Sequence, residues 1–137
     1  MTTGMELEKQ SGKKILIIED EADVRESIKL LLIDAGYIVR ESADGLDISD
    51  IITEFNPDVV LLDLLLDDVD GREICKSIKQ NPLTTNIPVI VISGLPDVYN
   101  AISESGANDI VAKPFLPSTL LNRIERQLQN SDISLAQ

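Results

Sequence analysis

Residues 59–63, Val-Val-Leu-Leu-Asp, constrain this chain more than any other stretch. An aliphatic run without interleaved polar residues does not suit a half-solvated antiparallel strand, which would alternate. It reads as a strand covered on both faces, as in a parallel sheet packed between helices. The run delivers one carboxylate, Asp63, to the point where the strand meets solvent, and then breaks into Asp67, Asp68, Asp70 and Gly71. A carboxylate there is costly unless something nearby partners it. From this stretch alone, a capping or turn role for Asp63 and a chemical role are equally open.

The rest of the chain repeats the pattern around this strand. Strands are predicted over Lys14 to Ile18, Ile38 to Arg40, Val89 to Ile92 and Asp109 to Ala112. Helical spacing of apolar residues predicts helices over Asp23 to Ala35, Leu46 to Phe55, Gly71 to Gln80, Asp97 to Ser105 and Pro117 to Gln129. Inward faces are assigned to Val24, Ile28, Leu31 and Leu32 in the first helix, Leu46, Ile51, Ile52 and Phe55 in the second, and Leu120, Leu121, Ile124 and Leu128 in the last. Gly36, Asn56-Pro57, Asn81-Pro82 and Gly106 supply the stops. Strand and helix alternate throughout, so the expected fold is α/β: one doubly wound parallel sheet with helices on both faces and right-handed crossovers.

In such sheets ligands sit beyond the carboxyl ends of the strands. The residues expected there are Glu19 and Asp20, then Asp63, then Ser93, then Lys113. Each has an ordinary structural explanation when taken singly: acids near a helix start, a serine in a turn, a solvated lysine. Together they make a polar crevice at the end of otherwise aliphatic strands. Carboxylates gathered in one place repel unless a pKa rises or a hard cation with oxygen ligands joins them, and Mg²⁺ is the natural candidate. An ammonium from Lys113 and a hydroxyl from Ser93 would complete a site suited to a tetrahedral dianion carried on one carboxylate. Pro114 after Lys113 marks a turn that aims the lysine, with a cis bond open to it.

Composition narrows the alternatives. Acidic residues outnumber Lys and Arg by 24 to 12, so the domain should repel nucleic acid and anionic membranes, and direct binding to either is not expected. The chain has no histidine, which removes the commonest general base and metal ligand as well as any phosphohistidine of its own. Aromatic residues make up only 3%, too few for a base-stacking platform. The single cysteine, Cys75, sits in a helical pattern between Ile74 and Ile78 and reads as a packed core residue. With no secretory signal or long apolar span, a cytoplasmic protein is expected. Its organisation is read as a polar tail over residues 1–12, one domain over 13–130, and a short polar tail over 131–137.

The motifs Ile-Ile-Glu19-Asp20, Asp63 followed by Asp70-Gly71, Ser93-Gly94, Gly106-Ala107 and Lys113-Pro114-Phe115 come in an order and spacing that resembles the receiver domain of two-component response regulators. The resemblance runs from about Lys13 to Asn130. It implies a flavodoxin-like fold with strand order 2-1-3-4-5. It also implies Asp63 as phosphoacceptor, and Glu19, Asp20, Asp63 and the backbone carbonyl of Leu65 as the Mg²⁺ site. Lys113 would contact the phosphoryl oxygens, and Ser93 would hydrogen-bond them once Asp63 is modified. The implied donor is a sensor histidine kinase or histidine phosphotransfer protein, and the implied output is interaction with a downstream protein. Such a domain is a signalling substrate that promotes its own phosphorylation and dephosphorylation rather than an enzyme turning over a metabolite.

Three features depart from the family pattern. Ile110 stands where Tyr or Phe is usual, Asp67 replaces a frequent proline, and the stretch from Ser93 to Gly106 is about two residues short. Leu65 and Leu95 occupy positions that influence water access to the acyl phosphate, and neither can orient a water, so slow self-dephosphorylation is expected. Three other readings compete. A receiver-like binding module that signals without phosphorylation would accommodate Ile110. A phosphohydrolase of the haloacid dehalogenase type would carry its Asp-x-Asp after the first strand rather than the third. A flavodoxin would need a hydroxyl and glycine loop where the first strand ends in acids.

Overall fold

The computed structural model describes residues 12–66, 69–94 and 105–136, with 132–136 described by backbone alone. In chain order the elements are β1 (Lys14–Ile18), α1 (Ala22–Asp34), β2 (Ile38–Ser42), α2 (Ile48–Phe55), β3 (Val59–Asp63), α3 (Gly71–Gln80), β4 (Val89–Ser93), β5 (Asp109–Ala112) and α4 (Pro117–Ala136). The strands form one parallel sheet in the order β2-β1-β3-β4-β5. This is the doubly wound, flavodoxin-like topology that the strand and helix pattern and the family resemblance predict. None of the helices formed by described residues is long and apolar enough to cross a membrane.

The aliphatic runs work because alternate side chains of each strand enter opposite layers. Leu16, Ile18, Val60, Leu62, Val89 and Val91 pack against Ile51 and Ile52 of α2 and Ile74, Cys75 and Ile78 of α3. Ile15, Ile17, Val59, Leu61, Ile90, Ile92 and Val111 pack against Ile28 and Leu32 of α1 and Leu120, Ile124 and Leu128 of α4. Every residue of β3 and β4 is buried, including Asp63 and Ser93, which close them. Cys75 is fully buried and free, as expected of a packing residue.

Local sequence explains most boundaries. α1 ends through Gly36 at φ +99°, where the N–H of Gly36 bonds to the Ile33 carbonyl and that of Tyr37 to the Leu32 carbonyl. Asp70 caps α3 by accepting from the Arg72 N–H at 2.9 Å, and its bond to the Arg72 side chain holds its carboxyl below the usual range. β2 runs to Ser42, two residues beyond the predicted end, because Ser42 still pairs with Ile18.

Two expectations are corrected. Leu46 does not face inward from α2: the helix starts at Ile48, and Leu46 is 64% exposed in the turn before it. The last helix does not stop at Gln129 but continues to Ala136, so residues 131–136, read as a polar tail, are helical. Asn130, Ser131 and Asp132 resemble a stop, yet each costs little in a helix already propagating. The helix expected over Asp97 to Ser105, with Val98, Ala101 and Ile102, lies almost wholly outside the described residues, as do Asp67 and Leu95.

Candidate functional site

The carboxyl ends of β1, β3 and β5 converge on one cluster. Glu19 follows β1 directly and is buried, with 1% exposure, while Asp63 closes β3 and is 4% exposed. Lys113 follows β5 and reaches back between them, donating to Glu19 Oε1 at 2.9 Å and to Asp63 Oδ2 at 3.1 Å. The other Asp63 oxygen, Oδ1, accepts from the Leu65 N–H at 3.0 Å. Asp20 is half-buried beside them, and one carboxylate oxygen from each of Glu19, Asp20 and Asp63 lies within 4.8 Å of the others.

Sheet register explains why these residues meet. Ile18 pairs with Leu62, and Asp63 with Ile92, so the ends of β1 and β3 and the end of β4 at Ser93 come level. Ser93 pairs with Ala112, and the Lys113 N–H donates to the Ser93 carbonyl at 2.8 Å, which ties the lysine's backbone to β4. The Lys113–Pro114 bond is cis.

Three carboxylates face one ammonium, leaving an excess of negative charge in a largely buried place. Burial pushes the Glu19 carboxyl up to about 7; the Lys113 ammonium works against that shift and the neighbouring Asp63 carboxylate adds to it. For Lys113, burial alone would lower the pKa, but the bonds to Glu19 and Asp63 outweigh it and the net shift is upward. The folded-state value for Glu19 lies above its ordinary 4.5, so the native protein holds this proton more tightly than the unfolded chain. Between about pH 4.5 and 7 this group therefore lowers stability as pH rises, with no further loss above that window. Urea unfolding of the metal-free protein across that window should show the decline, and Glu19→Gln should flatten it. An identical slope in the variant would remove Glu19 as its source.

The donor set is all oxygen and carries uncompensated charge, which suits a hard divalent cation such as Mg²⁺. Of the predicted site residues, the structure brings Glu19, Asp20, Asp63 and Lys113 together and places Ser93 at the adjoining strand end. The Leu65 side chain is 57% exposed, while its backbone is tied to the site through the Asp63 bond. Ile110 is half-buried against the α2/α3 layer. It also lines a cavity of about 360 Å³ with Pro114, Phe115, Thr119 and Arg123.

One contributor was not singled out from sequence, and a second has a packing role that its motif does not show. Arg25 in α1 donates through Nη1 to the carbonyls of Glu19, at 2.8 Å, and Asp20, at 3.3 Å, and its Nε lies 3.7 Å from Glu41. It clamps the acidic loop by its backbone. A basic residue one turn into the helix that follows an acidic pair is the signal for it. Gly71, which the sequence offers as part of the Asp70-Gly71 motif and the start of α3, also presses against the backbone of the site. A Cβ there would lie 2.5 Å from the Asp63 carbonyl oxygen and 2.6 Å from Leu64 Cα.

Comparison with known proteins is consistent with this geometry. A family profile described as "Response regulator receiver domain" matches residues 15–125. The phosphate regulon transcriptional regulatory protein PhoB of Pseudomonas aeruginosa is 36% identical over 122 residues, covering 88% of this chain and 53% of that protein. The chain spans about half the length of the curated relatives it matches. Among solved structures, a CheY-like response regulator receiver domain protein from Methanospirillum hungatei superposes with a TM-score of 0.82 at 26% identity, covering 90% of this chain and 99% of that one. The signal receiver domain of a signal transduction histidine kinase from Syntrophus aciditrophicus superposes with a TM-score of 0.78 at 29% identity, covering 86% and 91%.

Proposed function

Because the chain belongs to the response regulator receiver domain family, we propose that it accepts a phosphoryl group on Asp63, with Mg²⁺, from a phosphohistidine on a separate sensor kinase or phosphotransfer protein. The observation that carries this reading is the Lys113 ammonium held between two buried carboxylates, Glu19 and Asp63, at the carboxyl ends of β5, β1 and β3 of one sheet.

Glu19, Asp20 and Asp63, with the Leu65 carbonyl, would hold Mg²⁺. When bound, it would offset the carboxylate charge and polarise the phosphoryl oxygens. Asp63 is the nucleophile: a carboxylate oxygen forms the new bond to phosphorus, and the phosphorus–nitrogen bond to the donor imidazole breaks. The released electron pair stays on that nitrogen and takes up a proton. Lys113, already within hydrogen-bond reach of Asp63 Oδ2, follows the growing negative charge onto the transferred oxygens. Burial of Asp63 and the hydrogen bond from the Leu65 N–H fix the carboxylate's orientation, so little reorganisation precedes attack. Ser93, which ends the next strand, would hydrogen-bond the phosphoryl oxygens afterwards. The signal would then pass to a downstream protein by contact.

Incubation with Mg²⁺ and a small acyl or amido phosphodonor should add one phosphoryl mass per chain, and Asp63→Asn should remove that addition. Beryllofluoride with Mg²⁺ should change the spectrum of the parent protein and leave Asp63→Asn unchanged. No Asp63-dependent change under either condition would leave the competing reading, a receiver-like module that signals without modification.

A further inference from the structure

At the amino ends of β4 and β5, opposite the phosphoacceptor end of the sheet, lies a cavity of about 580 Å³ lined by Lys79, Thr85, Asn86, Asn108, Gln127 and Asn130. Its volume suits a small-molecule site. β4 separates it from the Asp63 cluster by about 13 Å, four residues at the rise of a strand.

The chemistry of the lining is one-sided. In a chain with twice as many acids as bases, Arg25, Lys29, Arg40, Arg72, Lys76, Lys113 and Arg123 each have a carboxylate within 4.0 Å. Among the described residues Lys79 instead donates to neutral oxygens, the Ile87 carbonyl at 3.0 Å and Asn108 Oδ1 at 2.9 Å. An ammonium has three donors, so one is left. Asn108 Oδ1 also accepts from the Val89 N–H at 2.9 Å, which uses its acceptor capacity and fixes the amide's orientation. Its NH₂ group has no acceptor among the described residues. Gln127 is 7% exposed, and its carboxamide also has no hydrogen-bond partner among the described residues. Among the described residues Asp109 Oδ2 is the buried side-chain polar atom without a partner, so the unpaired Gln127 amide is open to the cavity it lines.

Among the described residues, a cation without a carboxylate, an amide with its donors unpaired and a second carboxamide open to the cavity all line one space. We propose that this cavity binds a small oxyanion, a carboxylate or a phosphate, through Lys79, Asn108 and Gln127. This would give the domain a ligand input separate from its phosphoacceptor, since none of these residues belongs to the Asp63 cluster.

The test is a titration of the ¹⁵N-labelled 137-residue chain with succinate and, separately, inorganic phosphate, against sodium chloride at matched ionic strength. The side-chain NH₂ signals of Asn108 and Gln127 report. At least one probe should give saturable shifts with Kd at or below about 1 mM, and the probe that saturates identifies the oxyanion class. Asn108→Asp keeps the acceptor for Lys79 and Val89 while exchanging donors for charge, and Gln127→Glu does the same within the cavity. Each should weaken binding at least about tenfold, followed by backbone amide shifts around the cavity. Failure of both probes to saturate, or parent-like binding by both variants, would overturn the proposal. Well-dispersed spectra of the variants distinguish lost binding from lost folding.

Discussion

Lys113→Met should lose stability steeply at alkaline pH, by about 3 kcal/mol at pH 8 in metal-free buffer, and lose phosphoryl acceptance with it. The substitution keeps the length and apolar stem of the side chain but removes the cation between Glu19 and Asp63, whose carboxylates are 1% and 5% exposed. Removing one partner from a buried ionic group typically costs about 3–5 kcal/mol, and the low end applies because Lys113 itself retains 22% exposure. In the parent Glu19 is pushed up to about 7 even with the Lys113 ammonium working against the shift, so the variant's Glu19 holds its proton at least as tightly and below that pH the repulsion fades. The deficit against the parent should therefore shrink at pH 5.5. Excess Mg²⁺ should recover part of the loss at pH 8, because a ligand that binds only the native state stabilises it by mass action. Urea midpoints at the two pH values, with and without Mg²⁺, measure all of this. Parent-like stability of the variant at pH 8 would show that Lys113 does not compensate the cluster.

Gly71→Ala should also be costly, and with the opposite sign to the usual rule. In an ordinary helical position the change gains about 1 kcal/mol. Here a Cβ would meet the Asp63 carbonyl oxygen, Leu64 Cα and the Leu64 carbonyl oxygen at 2.5, 2.6 and 2.9 Å, all backbone atoms that cannot rotate aside. Overpacking of this kind costs about 1–3 kcal/mol. Relief requires α3 to move away from the end of β3, which shifts Asp63 relative to Lys113. The variant should accept phosphoryl groups more slowly than its stability loss explains. Gly94→Ala is the control: among the described residues its Cβ would meet Lys113 Cβ at 3.7 Å, an ordinary contact, and stability should barely change. Equal effects at the two glycines would refute the packing argument.

The site was legible because its strands announce themselves twice. Their aliphatic runs give the layer architecture, and their polar ends, Glu19, Asp63, Ser93 and Lys113, show which edge carries chemistry. Less legible were features set by three-dimensional proximity rather than by residue type. Arg25 acts on carbonyl oxygens, which every residue possesses, so nothing in its partners' identities points to it. Gly71 matters through the space it leaves beside β3, and a glycine after an acidic loop looks like any turn residue. Leu46 was misplaced because the helical period extends backwards through Asp47 on hydrophobicity alone, while the backbone at Asp47 is not yet helical. The end of α4 was hidden because Asn130-Ser131-Asp132 has the composition of a terminus but not the power to impose one on an established helix.

That continuation of α4 has a mechanical consequence. Its 20 residues span about 30 Å, whereas the 5 residues of β4 span only about 17 Å, so the helix outruns the sheet beside it. An outrunning helix behaves as an indexed shaft. A unit grafted onto it in unbroken helix would be held at a set angle about its axis. Adding one residue at the junction would swing the graft by about 100°, while adding seven would return it to within about 20° of its first bearing.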